Sequence, residues 1–255
     1  MHESAGPKII KMKQYEAVIK VMEGNGGFAT LGYLNQEVLK VSLVEWKTKT
    51  PFASIRRIVQ DERFFFKIRP GLWALKSYKE KLPPDMQPLQ AKSKIQTETF
   101  NHTYYQGLLV EVGNLKKYQT FVPNQDKNKN FLGEKLGDMA TIKEFYKFGY
   151  EQIVQKAQTV DVTWFNPRKM PSMLFEIEHS TDIQNSLLKF VELQDYYINF
   201  FIVANDVRKK EYDSKMGLSA FTPILKRVAF LGYEQLSDWH AKAHEIMAVE
   251  GKILS

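Results

Sequence analysis

Apolar positions recur at helical spacing near the start of the chain. In KQYEAVIKVMEGNGG, Tyr15, Val18, Ile19 and Met22 share a face, and Gly24, Gly26 and Gly27 end the run. FATLGYLNQEVLK predicts a shorter second helix carrying Leu31, Leu34 and Val38. A third helix opens at Thr50-Pro51, because threonine is a good N-cap and proline suits the first helical position. Within it Ala53, Ile55, Ile58 and Val59 are expected to face a core, which leaves Ser54, Arg56, Arg57 and Gln60 to a ligand. RFFFKIRPGLWALK then reads as two short strands around an Arg69-Pro70-Gly71 turn.

The periodicity lapses over residues 77–100, a stretch with three of the ten prolines that reads as a linker. Beyond it, HTYYQGLLVEVG predicts a helix that passes through Gly113 into a strand, and Ile142 to Lys156 a helix with Phe145, Phe148, Ile153 and Val154 inward. TVDVTWF and SMLFEIE are β-rich runs separated by the turn-like NPRKMP, and so predict a hairpin. A helix over 182–197 and a strand in NFFIVAND follow. The expected organisation is α+β, with domains at 1–80 and 101–255 joined by a linker at 81–100.

Composition adds limits. With no cysteine, a disulfide framework and a thiolate zinc site are both excluded, so any metal must sit on oxygen or imidazole. The opening residues lack the apolar core of a signal peptide, and no run approaches the length of a membrane span, so a cytoplasmic protein without membrane partners is expected. Residues 1–82 hold 15 Lys/Arg against 8 Asp/Glu, and the remainder 21 against 21, so the whole formal charge of +7 belongs to the front third. That asymmetry points to a polyanionic partner for that part.

Three helices followed by a hairpin follow the winged-helix plan, in which the third helix enters a major groove. The run TKTPFASIRRIVQDERFFFKIRPGLWAL resembles the HARE type of winged helix, with its Thr-Pro opening, short basic helix, aromatic strand and Gly-x-x-Ala-Leu ending. The resemblance implies a DNA-binding module, sensing of modified DNA included, with a protein-binding winged helix as the alternative. Lys49, Ser54, Arg56, Arg57, Gln60, Lys67 and Arg69 are the candidate DNA contacts.

In FEIEHST, Glu176 and Glu178 share one face of a strand while Phe175 and Ile177 share the other. Two carboxylates on one side of a partly desolvated strand repel each other, and a cation removes that cost. Asp161, on the first arm of the hairpin, is expected to reach the same spot and complete three oxygen ligands suited to Mg2+ or Mn2+. An Asp, a hairpin and Glu-x-Glu leading into a helix resembles the PD-(D/E)xK active site of type II restriction endonucleases, over about residues 106–206. The resemblance implies a mixed sheet flanked by helices and metal-assisted phosphodiester hydrolysis. Asp161 matches the family's Asp and Glu176 its Asp/Glu, while Glu178 stands where the family has Lys and Val160 where it has Pro. Lys189 on the following helix is a candidate for the missing cation, and Glu111 for a second metal.

His179 is expected to point away from the carboxylates, and His240 and His244, spaced four apart but without a third ligand, to be surface residues. No phosphate loop, serine elbow or kinase signature is present. These readings converge on a Mg2+-dependent endonuclease acting on double-stranded DNA as a homodimer, with dependence on base modification left open. The alternative is a DNA-binding or regulatory protein whose nuclease-like domain has lost its chemistry.

Overall fold

A computed structural model describes residues 12–42, 44–87 and 94–254. They divide into two units, one formed by the residues up to 87 together with those from 244 on, the other by residues 94–243.

In the first unit, α1 (Gln14–Gly24) buries Ala17, Val18 and Met22, the apolar stripe expected of an amphipathic helix. The next segment departs from the sequence expectation. Phe28–Thr30 is a strand, β1, and the helix α2 begins only at Leu31 and runs to Glu37. Pairing decides this: Phe28, Ala29 and Thr30 sit opposite Ala74, Trp73 and Leu72, and that ladder outweighs helical periodicity in so short a stretch. Thr30 ends the strand and caps the helix, its Oγ1 accepting a bond from the Tyr33 amide at 3.1 Å.

Helix α3 (Pro51–Ile58) has Pro51 in its first turn and buries Ile55, and Val59 just beyond it is also buried. Ala53, expected to face the core, is exposed, because the eight-residue helix turns only Ile55 and its neighbour one turn on inward. The strands β2 (Phe65–Arg69) and β3 (Leu72–Leu75) form the expected hairpin, with Gly71 at φ 73° in the turn. The resulting antiparallel sheet has the order β1-β3-β2.

The second unit opens with α4 (Lys94–Leu115), which starts inside the stretch read as a linker; residues 88–93 lie outside the described residues. Gly113 does not end this helix. A Cβ there would lie 2.5 Å from Thr120 Cγ2 and 2.7 Å from Trp164 Nε1, so this glycine lets α4 approach the sheet. The helix ends past Leu115, and the chain turns at Lys117 with φ 64° into β4 (Gln119–Phe121).

A small hairpin of β5 (Asn130–Phe131) and β6 (Glu134–Lys135) leads into the short α5 (Leu136–Met139). The expected helix over 142–156 is confined to α6 (Glu151–Ala157). The aromatics before it serve as separate anchors: Phe145 packs edge-on against Phe121 and Phe165, and Phe148 against Tyr196.

β7 (Val162–Phe165) and β8 (Pro171–Glu178) form the predicted hairpin, with Val162 opposite Phe175 and Thr163 opposite Leu174. Its turn is tied by Asn166, whose Oδ1 accepts from the amides of Arg168 and Met170 at 2.9 and 3.1 Å. After β8 come α7 (Ile183–Val191), β9 (Asn199–Ala204), α8 (Lys209–Met216), β10 (Val228–Gly232) and α9 (Tyr233–Leu254). The sheet runs β10-β9-β8-β7-β4, parallel across its first three strands and antiparallel across the rest, which makes it mixed. Ile183, Leu187 and Phe190 of α7 join Leu174, Phe200 and Ile202 in a continuous core that seats this helix on the sheet. Among the described residues, no helix is long and apolar enough to cross a membrane.

Two glycines test the packing of these helices. At Gly107 in α4, a Cβ would fall 2.1 Å from the Phe131 ring, whereas at Gly24 in α1 nothing lies within 4 Å. Alanine gains about 1 kcal/mol of helix propensity over glycine, but overpacking costs about 1–3 kcal/mol. Gly107→Ala is therefore expected to lower Tm by several degrees in a thermal melt, and Gly24→Ala to leave it unchanged or raise it.

Candidate active site

Asp161 immediately precedes β7, so the register that places Val162 opposite Phe175 carries Asp161 to a position opposite Glu176. It is not itself a strand residue. Its Oδ2 accepts the Ile177 amide at 2.7 Å, which fastens the start of one arm to the end of the other. On β8, Phe175 and Ile177 enter the core as strand alternation requires, and Glu176 and Glu178 lie on the opposite face. That face is also covered, leaving Glu176 3% and Glu178 5% exposed.

The cover is α7. Asp182 caps it by accepting the Gln184 amide at 2.9 Å, and this start directs Ser186 and Lys189 at the carboxylates. Lys189 Nζ donates to both oxygens of Glu176, at 2.8 and 3.0 Å. Ser186 Oγ lies 3.1 Å from Glu176 Oε2 and bonds Glu178 Oε1, and Thr181 Oγ1 bonds the other oxygen of Glu178. From α4, His102 brings Nε2 to 3.3 Å from Asp161 Oδ1. Asp126 is held by Lys129 at 2.6 Å and by Gln106 Nε2 at 2.7 Å, and the same Gln106 nitrogen donates to the Asp161 carbonyl at 3.1 Å.

Asp161, Glu176, Glu178 and Lys189 line a single cavity of about 460 Å3, together with His102, Asp126 and Ser186. Its electrostatics follow from this crowding. Burial raises the Glu176 pKa to about 8, with Asp161 and Glu178 adding to the rise and Lys189 opposing it. Burial also raises Glu178, against the hydrogen bonds from Ser186 and Thr181. Burial works against the Lys189 ammonium but is outweighed by the charge and hydrogen bond of Glu176, so its pKa stands above the ordinary lysine value. His102 is likewise raised, burial being outweighed by its bond to Asp161.

Oxygen donors dominate this cavity, with the imidazoles of His102 and His179 also on its wall. His102, Asp126 and Asp161 offer one ligand atom each within 4.8 Å of one another. Such a donor set is suited to hold a divalent metal ion.

Of the remaining candidates, only His179 also lines this cavity. Glu111 does not line this cavity and pairs with His240, Nε2 to Oε2 at 2.5 Å. His240 and His244 are buried, 2% and 8% exposed, and are not surface residues. His179 turns from the carboxylates to Tyr233, its Nδ1 2.5 Å from the phenol oxygen. In the first unit Lys49, Arg57, Gln60 and Lys67 are exposed, while Ser54, Arg56 and Arg69 are half-buried. Arg56 leans towards Glu245 at 3.9 Å, Ser54 Oγ bonds the Thr50 carbonyl at 3.4 Å, and Arg69 Nη1 donates to the Ile68 carbonyl at 3.0 Å.

His102, Asp126, Thr181 and Ser186 escaped the sequence reading. A signal existed for Ser186, which precedes the singled-out Lys189 by three residues and so shares its helix face. Asp126 lies in a loop and carried none.

The raised Glu176 predicts a cost. A carboxyl whose pKa rises from 4.5 to about 8 on folding stabilises the fold fully below 4.5, and that contribution is lost as pH climbs to about 8. In metal-free buffer with EDTA, Glu176→Gln is expected to melt several degrees above the wild type at pH 8. The difference should shrink towards zero at pH 4.5, as followed by calorimetry.

Comparison with known proteins places the chain in a family. Residues 81–255 match the family described as the type II restriction enzyme NmeDI C-terminal domain. The type II restriction enzyme NmeDI of Neisseria meningitidis serogroup C is 26% identical over 137 residues, covering 50% of this chain and 38% of that protein. The chain thus spans well under half the length of this relative. No solved structure matches it. With more than half its residues matched, the chain belongs to the family of the type II restriction enzyme NmeDI C-terminal domain.

Proposed function

We propose that this chain is a restriction-type endonuclease that hydrolyses phosphodiester bonds of double-stranded DNA, with Mg2+ held by Asp161, Glu176 and Glu178. The observation that carries the reading is the convergence of these three buried carboxylates and the Lys189 ammonium on one cavity, in a chain of this family. The donor chemistry suits such an ion, and the ligand atoms that lie within 4.8 Å of one another are those of Asp161 with His102 and Asp126, the two glutamates lining the same cavity. Carboxylates crowded away from water resist ionisation, and a divalent cation offsets both their desolvation and their repulsion.

When bound, the metal lowers the pKa of a water and offsets negative charge on the phosphate and the leaving oxygen. The chain's own groups do the rest. Asp161, fastened through Oδ2 to the Ile177 amide, turns Oδ1 towards His102 on the cavity wall. Lys189 fixes Glu176 and brings a positive charge to the cavity that would receive an anionic phosphate. Glu178 is then either a further ligand or the base that takes a proton from the attacking water.

The alternative, a DNA-binding protein without chemistry, derives from Glu178 standing in place of the motif lysine. Lys189 reaching Glu176 from α7 weighs against it, since a cation returns to the site from the next element.

In the same reading the first unit is a winged helix that delivers DNA. In its support are the helix order, the antiparallel β1-β3-β2 sheet with its hairpin, and the exposed Arg57, Gln60 and Lys67. Cleavage of both strands calls for two sites, so the working form is a homodimer.

Supercoiled plasmid with Mg2+ is expected to become linear with the wild type, and to stay supercoiled with Glu176→Ala. Lys189→Ala should slow cleavage by about 10²–10³-fold, the typical loss of one charge-stabilising group. Unmodified and methylated plasmids are both required; if both stay intact while DNA binding persists, the non-catalytic reading replaces this one.

Binding has its own signature. Log affinity of the full chain for a DNA duplex should fall with log salt at about −0.9 per phosphate neutralised. Arg57→Ala and Lys67→Ala together should flatten that slope, and an unchanged slope would remove these residues from the interface.

A further inference from the structure

Three side-chain donors reach the carboxylates of the two glutamates of β8, and they are not equivalent. Thr181 reaches only Glu178, and Lys189 bonds only Glu176. Among the described residues, Ser186 is the side chain that reaches both, its Oγ 3.1 Å from Glu176 Oε2 and hydrogen-bonded to Glu178 Oε1. Glutamates two apart on a strand point the same way but have rotatable side chains, so the backbone alone does not fix the gap between their carboxylates.

Ser186 is well placed to fix it. It is 2% exposed, and it sits on a helix anchored by the fully buried Ile183, Leu187 and Phe190. A hydroxyl has one proton to donate and two lone pairs, so it gives its hydrogen to one carboxylate while standing against the other. Its oxygen is therefore a wedge of fixed position between two carboxyl groups, on an element separate from the strand that carries them.

We propose that Ser186 is a positioning residue that sets the spacing of the Glu176 and Glu178 carboxylates, and through it the affinity of this cavity for a small divalent cation. Mg2+-sized ions tolerate little departure from octahedral geometry, so the gap between two ligands matters more for them than for larger, more adaptable ions. Groups that orient metal ligands typically contribute 10–100-fold to metal affinity when removed. The inference rests on the metal-binding reading above and adds a residue that the nuclease motif does not contain.

The test is a Mn2+ titration of the full chain at constant pH, with free Mn2+ followed by electron paramagnetic resonance and Tm measured in EDTA. Ser186→Ala is expected to bind Mn2+ about 10–100-fold more weakly than the wild type, with Tm within a few degrees. Ser186→Thr, which restores the hydroxyl, should return to nearly wild-type affinity. Should the alanine variant not fold, Ser186→Cys keeps the volume with a poorer donor and gives the same comparison. If Glu176→Gln abolishes binding while Ser186→Ala binds as tightly as the wild type, the positioning role is overturned and the metal site stands. If the wild type binds no Mn2+, or Glu176→Gln binds it equally well, both fall together.

Discussion

Three carboxylates kept out of bulk water around one cavity are the constraint to which the surroundings answer. An isolated buried carboxylate is expensive and neutralises itself by shifting its pKa, as burial does to Glu176 and Glu178. The cost is limited here by donors from three directions. Lys189 and Ser186 come from α7, Thr181 from the loop before it, and the Ile177 amide from the strand itself. What the donors do not offset is the part a cation can supply, and this links the energetics of the fold to its proposed chemistry.

Rigid elements carry the important groups. Two of the acids lie on a strand of a five-stranded sheet, and the third is tied to that strand by a backbone hydrogen bond. The helix that covers them is seated by core side chains, and the hairpin turn is closed by the side chain of Asn166. Sites built on such elements hold their geometry better than sites built on loops. Asp126, which lies in a loop, accordingly needs two partners of its own, Lys129 and Gln106.

How much the sequence revealed depended on the range of the interactions. The β7–β8 hairpin and the outward pair Glu176 and Glu178 follow from alternation within eight residues, and both were legible. So was Lys189 as a candidate cation. The strand at Phe28–Thr30 was not, because its partners are more than forty residues away at Leu72–Ala74 and its own residues continue a helical pattern. Gly113 was misread as punctuation because glycine ends helices and also permits close packing, and only Trp164 across the sheet distinguishes the two. His240 was misread for a similar reason: its partner Glu111 is 129 residues away. His102 and Asp126 meet Asp161 only through the fold, so no local spacing marks them.

The bond from the Ile177 amide to Asp161 Oδ2 bears on selectivity among ions. With one oxygen committed to the backbone, Asp161 has its other oxygen alone to offer, and Glu178 meets hydroxyls at both of its oxygens. Calcium gathers six to eight oxygens and often grips a carboxylate by both. Under the metal-binding reading proposed above, a pocket whose acids are so committed to hydrogen bonds suits a smaller ion that retains part of its hydration shell better than it suits calcium.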